Sequence, residues 1–214
     1  MENAIKLTAE ELYYLGGLMQ AKYIDYDYIS AMGDIQKNYR MYESNAVDGL
    51  AGKGLIEEDF SGEITVSVSI EELLSPVFFG DFEAEIDICG VQEDSRKIVK
   101  LHTDQDKTTL VELDENQLVL KKMQGNDVVE YGKDIFGFLK DETDENIEFD
   151  EQKVSEIYIL KNTVIGGESD VRILYHGFNN WENHFMEDEN EEIKRINDQD
   201  IIQTIQSVLV EKGA

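Results

Sequence analysis

The stretch Leu50–Ser69, "LAGKGLIEEDFSGEITVSVS", decides how the first part of the chain is read. Gly52 and Gly54 end a helix, and a short strand begins at Leu55. Gly62 then turns the chain into a strand that alternates along Ile64, Val66 and Val68. Helix, strand, turn and strand in that order form the latter half of a winged helix. Working backwards, Tyr39, Tyr42, Ala46, Leu50 and Lys53 share one face of a helix over about 38–53. "YIDYDYISAM" suits a short helix opening at Asp25 or Asp27. Thr8 and Glu11 make a capping box for a first helix from Lys6 to about Gln20, with Leu7 and Leu12 as its staple and Leu15 and Met19 along its apolar face. Gly16–Gly17 weakens that helix by about 1 kcal/mol per glycine. The pair is expected to admit another element closely or to end the helix early.

Winged helices often bind DNA, and the charge argues against it here. The chain of 214 residues carries 19 Lys and Arg against 47 Asp and Glu, a formal net charge of −28. Over 38–53, Arg40 and Lys53 are cancelled by Glu43 and Asp48, and the wing from Glu57 to Glu63 holds four acids and no base. Phosphate binding needs clustered Lys and Arg, and Lys121–Lys122 is the nearest approach to a cluster. A structural or protein-binding module is therefore expected, with no nucleic-acid partner. A surface this acidic confers solubility, repels nucleic acid and membranes, and steers basic partners.

With 41% hydrophobic residues the chain is long enough and apolar enough for a buried core. No run reaches the ~18 apolar residues of a membrane span, and "MENAIKLTAEE" lacks the pattern of a signal peptide. A cytoplasmic protein with no direct membrane insertion is expected. Its single cysteine, Cys89, lies in "IDICGV" and reads as a buried structural thiol.

Downstream, Ser69 is read as the cap of a short helix, "SIEELLS", which ends before the only proline, Pro76. The segments "EAEIDICGV", "RKIVKLH", "TTLVEL" and "QLVLKKM" alternate as strands and are separated by turn residues, giving an antiparallel meander. Asp134 is read as the cap of a helix over "IFGFLK". "DETDENIEFDE", Asp141–Glu151, has seven acids in eleven residues and reads as an exposed linker. A helix is expected over "EQKVSEIYIL", where Val154, Ile157 and Leu160 share a side. Strands follow at "VRILYHGF", "WENHFM" and "EEIKRI", then a closing helix with Ile201, Ile202, Ile205, Val208 and Leu209 at helical spacing. "KDIFGFLKD" and "DQDIIQTIQSVL" hint at two similar strand–strand–helix halves. The fold class is α+β: an N-terminal winged-helix-like segment, residues 1–80, then an antiparallel sheet with helices packed on it, residues 81–214, the two packed as one unit.

Catalytic motifs are missing. His176 and His184 sit eight residues apart across a hairpin and His102 stands alone, so no local metal motif forms. "GKGLIE" follows a helix where a phosphate cradle would precede one. No acidic run has the order of a calcium loop. The expectation is a protein that is not an enzyme and carries no cofactor or metal.

"LTAEELYYLGGL", with Glu10-Glu11-Leu12 and Leu15-Gly16-Gly17, followed by a helix finishing in "LAGKGLIEED", resembles the start of the EsaE-like accessory chaperones of type VII (ESX-like) secretion in Gram-positive bacteria. That family is similar in layout to the mycobacterial EspG chaperones. The resemblance implies a cytoplasmic chaperone or adaptor that keeps a secreted client soluble or delivers it to the membrane ATPase of the apparatus. A toxin with a basic surface would match the acidity. An acidic immunity protein or DNA mimic that blocks a nuclease is the alternative. For either, aromatic residues in connecting segments are the candidate partner surface: Phe78, Phe79 and Phe82 around Pro76, and Phe178, Trp181 and Phe185 beyond "LYHG", with ordinary core as the competing reading, the preferred one for Phe78 and Phe79.

Overall fold

Alternation along "FEAEIDICG" builds the strand around which the second half of the chain is ordered. In the computed structural model, which describes residues 4–91, 95–114, 117–136, 148–164, 169–177, 184–187 and 190–210, this strand is β4, Phe82–Gly90. Phe82, Ala84 and Ile86 point into a core, while Glu83, Glu85 and Asp87 take the other face. That acidic face is neutralised by β5, Arg96–Asp104. Lys100, itself buried, lies 3.3 Å from Glu85 and 3.7 Å from Glu83, and Arg96 grips Asp87 through two bonds of 2.8 and 2.7 Å.

The chain forms two compact units, Met1–Asp81 with His102–Lys122 and Phe82–Leu101 with Met123–Ala214. In the first, β1 (Ile5–Leu7) precedes α1 (Ala9–Leu18), α2 (Tyr26–Ile29) and α3 (Ile35–Gly52), whose N-caps are Thr8, Asp25 and Asp34. The expected capping box is formed: Glu11 N–H donates to Thr8 Oγ1 and Thr8 N–H to Glu11 Oε2. β2 (Ile56–Glu58) and β3 (Ile64–Val66) then make a hairpin that turns at Gly62, whose φ of +82° suits a residue without a Cβ. α4 (Val68–Phe79), β6 (Lys107–Asp114) and β7 (Gln117–Met123) complete it. Leu7, Leu12, Leu15, Leu50, Leu74, Phe78 and Leu120 meet in its core. Tyr28 Oη lies 2.5 Å from His102 Nε2, tying α2 to the end of β5.

Three expectations about this region need correction. Residues 5–7 extend as a strand and α1 starts at Ala9, because β1 pairs with β7. The hairpin β2–β3 is a separate two-stranded sheet that β1 does not join, so the pairing gives no independent winged-helix module. The helix near Pro76 is also longer. Ser67 is its N-cap, and it runs through Pro76 to Phe79, since continuing it buries Val77 and Phe78.

In the second unit β4 pairs with β8 (Val154–Val164), followed in sequence by β9 (Ser169–Gly177), β10 (His184–Glu187) and β11 (Ile193–Ile196). The expected helix over 151–160 is a 3-10 turn at Glu151–Lys153 and then strand β8. Val154, Ile157 and Leu160 fit a helical stripe, but hydrogen bonds from β4 and β9 on both sides hold the segment extended, and Val154, Tyr158, Leu160 and Asn162 are buried at even positions. α5 (Gly125–Phe136) starts well before Asp134, which lies near its end instead of capping it. α6 (Asp198–Ile205) is capped by Asn197 in a capping box with Asp200, and widens into a π-helical turn at Gln206–Val210. Cys89 is only half-buried, beside Asp87, and burial pushes its thiol pKa up.

The strand order is β1-β7-β6-β5-β4-β8-β9-β10-β11, antiparallel at β1–β7, β4–β8, β8–β9, β9–β10 and β10–β11. Two four-stranded runs, β4–β7 and β8–β11, are each followed by a helix. The Asp-Ile match that hinted at two similar halves does not hold, since Asp134 lies near the end of α5 and Asp200 in the first turn of α6.

Candidate functional site

The first unit carries a cleft of about 510 Å³ between α1, α3 and the segment that follows α1. One wall is the outer face of α1, where Glu10, Tyr13, Tyr14, Gly17 and Leu18 recur at helical spacing. The opposite wall is the first half of α3, with Tyr39, Tyr42 and Glu43, and Ala21 and Ile24 close one end.

Two glycines and a buried carboxylate set the spacing of these walls. A Cβ on Gly16 would stand 2.6 Å from Ile24 Cδ1, so the glycine lets the chain fold back closely after α1. A Cβ on Gly17 would meet nothing within 4 Å, which leaves the cleft open at that point. The helix continues to Leu18, so Gly16 serves close approach and neither glycine ends the helix. Below the cleft, α1 and α3 are locked by Glu11. Its carboxylate accepts from Lys53 Nζ at 2.7 and 2.5 Å, and the same ammonium donates to Lys6 O at 2.9 Å. The Glu11 side chain fills the place where Gly49 lacks one.

Among the described residues, two carboxylates, Glu10 and Glu43, and no Lys or Arg line the cleft. Burial raises the pKa of the Tyr14 hydroxyl above its ordinary value of 10.0, and the charges of Glu43, Tyr39 and Glu58 push the same way. Among the described residues, no ion pair or hydrogen bond to another side chain engages the carboxylates of Glu10 and Glu43.

Of the residues singled out in the sequence, Phe78 is wholly buried in the first unit's core and Phe79 stacks edge-on against it, with 37% of its surface exposed. Phe82 opens β4 on its core face, and Phe185 on β10 packs edge-on against Phe149 at 5.4 Å. Phe178 and Trp181 lie outside the described residues. The cleft tyrosines were missed as a site. Their signal was present in "EELYY" and "YRMYE", each a tyrosine pair beside a glutamate. Also missed was Phe60, which stands fully exposed at the tip of the β2–β3 hairpin. That turn is firmly built: Asp59 Oδ1 accepts from Ser61 N, Ser61 Oγ and Glu63 N.

In the second unit a shallower hollow of about 410 Å³ is lined by Arg96, Asp134, Glu156 and Tyr158 among others. Three of its polar groups are already engaged. Arg96 is held by Asp87, and Tyr158 donates to Glu156, with burial first and Glu156 second raising the tyrosine pKa. His184 stands opposite His176 in the β9–β10 register. Among the described residues, no group of three or more His, Cys, Asp or Glu is placed to hold a metal ion, and no helix is long and apolar enough to cross a membrane.

No protein-family model matches the chain, and no curated protein matches it in sequence. Its structure resembles that of the Mycobacterium tuberculosis type VII secretion system chaperone EspG5, solved in complex with a PE25–PPE41 dimer. The TM-score is 0.64, covering 97% of this chain and 96% of that one at 8% identity. At that identity the likeness is one of fold: this chain has the fold seen in EspG5.

Proposed function

We propose that the protein is a chaperone or adaptor for a client of a type VII secretion system, acting in the cytoplasm by binding and not by catalysis. The observation that carries this reading is the breadth of the fold match, which takes in nearly all of both chains. An EsaE-like affiliation is its finer form and rests on "LTAEELYYLGGL" and "LAGKGLIEED" alone. EspG5 was solved bound to a protein pair, and by analogy the client here is a protein. The net charge of −28 favours a client basic at its contact face, such as a secreted toxin, and disfavours nucleic acid. Handover to the secretion ATPase completes the proposal.

The same charge favours one second reading, an acidic immunity protein that covers the active site of a nuclease. Tagged full-length protein purified from its own host, with partners identified and co-expressed pairwise, separates the two. A chaperone yields a stoichiometric complex, a client that is insoluble alone, and reduced export when the gene is deleted. An immunity protein abolishes the client's enzymatic activity and leaves export unchanged. Absence of any exported partner overturns the chaperone reading. Association rates should also fall steeply with salt, since the Debye length shrinks from about 10 Å at 0.1 M to about 3 Å at 1 M. A flat on-rate would make the acidity a solubility device only.

A further inference from the structure

We propose that the α1/α3 cleft receives an arginine or lysine side chain from a segment of a protein partner. Four tyrosines, Tyr13, Tyr14, Tyr39 and Tyr42, line a space of about 510 Å³, and each wall contributes one carboxylate, Glu10 from α1 and Glu43 from α3. Tyrosine ring faces attract cations within about 6 Å of the ring centre, and more strongly where water is excluded. An aliphatic stem against the rings with its charged head at the carboxylates fits the chemistry of lysine and arginine, which bury their stems and keep the head among polar groups.

Three observations favour this occupant over others. Glu10 and Glu43 are half-buried, and among the described residues neither is within ion-pair distance of a Lys or Arg. Glu11, one residue along, is fully engaged with Lys53 and Thr8, so the two cleft acids differ from their neighbour in lacking a cation. Glu10 and Glu43 line the same space as the four tyrosine rings, and at Tyr14, whose hydroxyl pKa is raised first by burial, the charge of Glu43 pushes the same way. An apolar helix face laid over the cleft would desolvate two unpaired carboxylates, which is costly. An anion would be repelled, and a second copy of a chain with net charge −28 would meet long-range repulsion. The inference stands on the cleft and not on the chaperone reading, so each can fail without the other.

The test titrates the full-length protein with short acetylated, amidated Ala/Gly peptides that carry one central arginine, lysine, norleucine or glutamate. The readout is the NMR signals of 13C-labelled tyrosine rings, assigned by single Tyr→Phe variants. The arginine and lysine peptides should shift Tyr13, Tyr14, Tyr39 and Tyr42, and the norleucine and glutamate peptides should not. Glu10→Gln with Glu43→Gln should weaken arginine-peptide binding about tenfold, the effect of two ion pairs of ordinary partly exposed strength. Asp106→Asn with Asp114→Asn changes the net charge equally at exposed positions outside the cleft and should leave binding intact. Equal shifts with norleucine would mean an apolar groove and overturn the proposal. So would equal weakening by the Asp106/Asp114 pair, which would mean a diffuse field, or tyrosine signals that do not move. If the double glutamate variant fails to fold, Glu43→Gln alone decides by the same criteria.

Discussion

One helical stripe has two fates along α3. Tyr39, Tyr42, Ala46 and Leu50 recur on the same face, yet Ala46 and Leu50 are wholly buried while Tyr39 keeps 46% of its surface exposed and lines the cleft with Tyr42. The difference comes from what stands opposite. At the closed end, Glu11 of α1 reaches Lys53 and fits against Gly49, which draws the helices together. At the open end α1 presents Tyr13, Tyr14 and the bare Gly17, and the walls stay apart. Periodicity marks a stripe that avoids water. It does not say whether another part of the same chain will cover it.

The comparison can be broken by substitution, most forcefully at its closed end. Leu50→Ala should cost about 2–5 kcal/mol, the range for emptying a packed leucine site, and Leu15→Ala on the facing helix should cost the same. An unchanged urea midpoint for either would mean that this end is not a core. Next in size, Glu11→Ala removes the capping-box acceptor and the Lys53 pair together, for about 1.5–3 kcal/mol by the worth of hydrogen bonds to charged groups. Lys53 is 38% exposed, which lets water replace part of that loss. Gly49→Ala sharpens the point. Alanine is the better helix former by about 1 kcal/mol, yet its Cβ would displace the Glu11 carboxylate, so a net loss of stability is expected. A gain in melting temperature would show that the Glu11 lock is dispensable.

Alkaline pH probes the open end. Tyr14 in the folded chain holds its proton above the ordinary value of 10.0, chiefly through burial. Above pH about 10 the unfolded chain therefore ionises first. Stability should be level with pH below that point and fall as pH rises from there through the raised folded value. Tyr14→Phe should flatten this fall. Tyr175, pushed up to about 12 by burial and its bond to Glu187, adds a share between about 10 and 12 that Tyr175→Phe removes. Chemical denaturation at stepped pH gives the curves, and a fall that both variants retain in full would discount the two tyrosines. The smallest effect belongs to exposed aromatics. Tyr39→Ser and Phe60→Ala should each change stability by less than about 0.5 kcal/mol, while a larger loss would place the ring in a contact that the open cleft and the free hairpin tip do not contain.

The local signals were legible from the sequence. Thr8 and Glu11 announce the start of α1 and Gly62 the hairpin turn, because caps and turns act within a few residues. Leu12, Leu15 and Leu55 could likewise be read as core. Two kinds of feature could not be read this way. Val154, Ile157 and Leu160 satisfy helical and extended spacing alike, and only hydrogen bonds from β4 and β9 make them a strand. Phe82 and Phe185 look like surface aromatics next to glycines or polar neighbours, but elements brought from elsewhere in the chain bury them, whereas Phe78 is buried as the core reading expected. The sequence by itself determined the cap at Thr8, the turn at Gly62, the strands of the meander and the net acidity. Tertiary structure decided which apolar stripe is covered and which is left as a cleft, because burial depends on the element opposite, and that element is chosen by pairings between residues far apart in the chain.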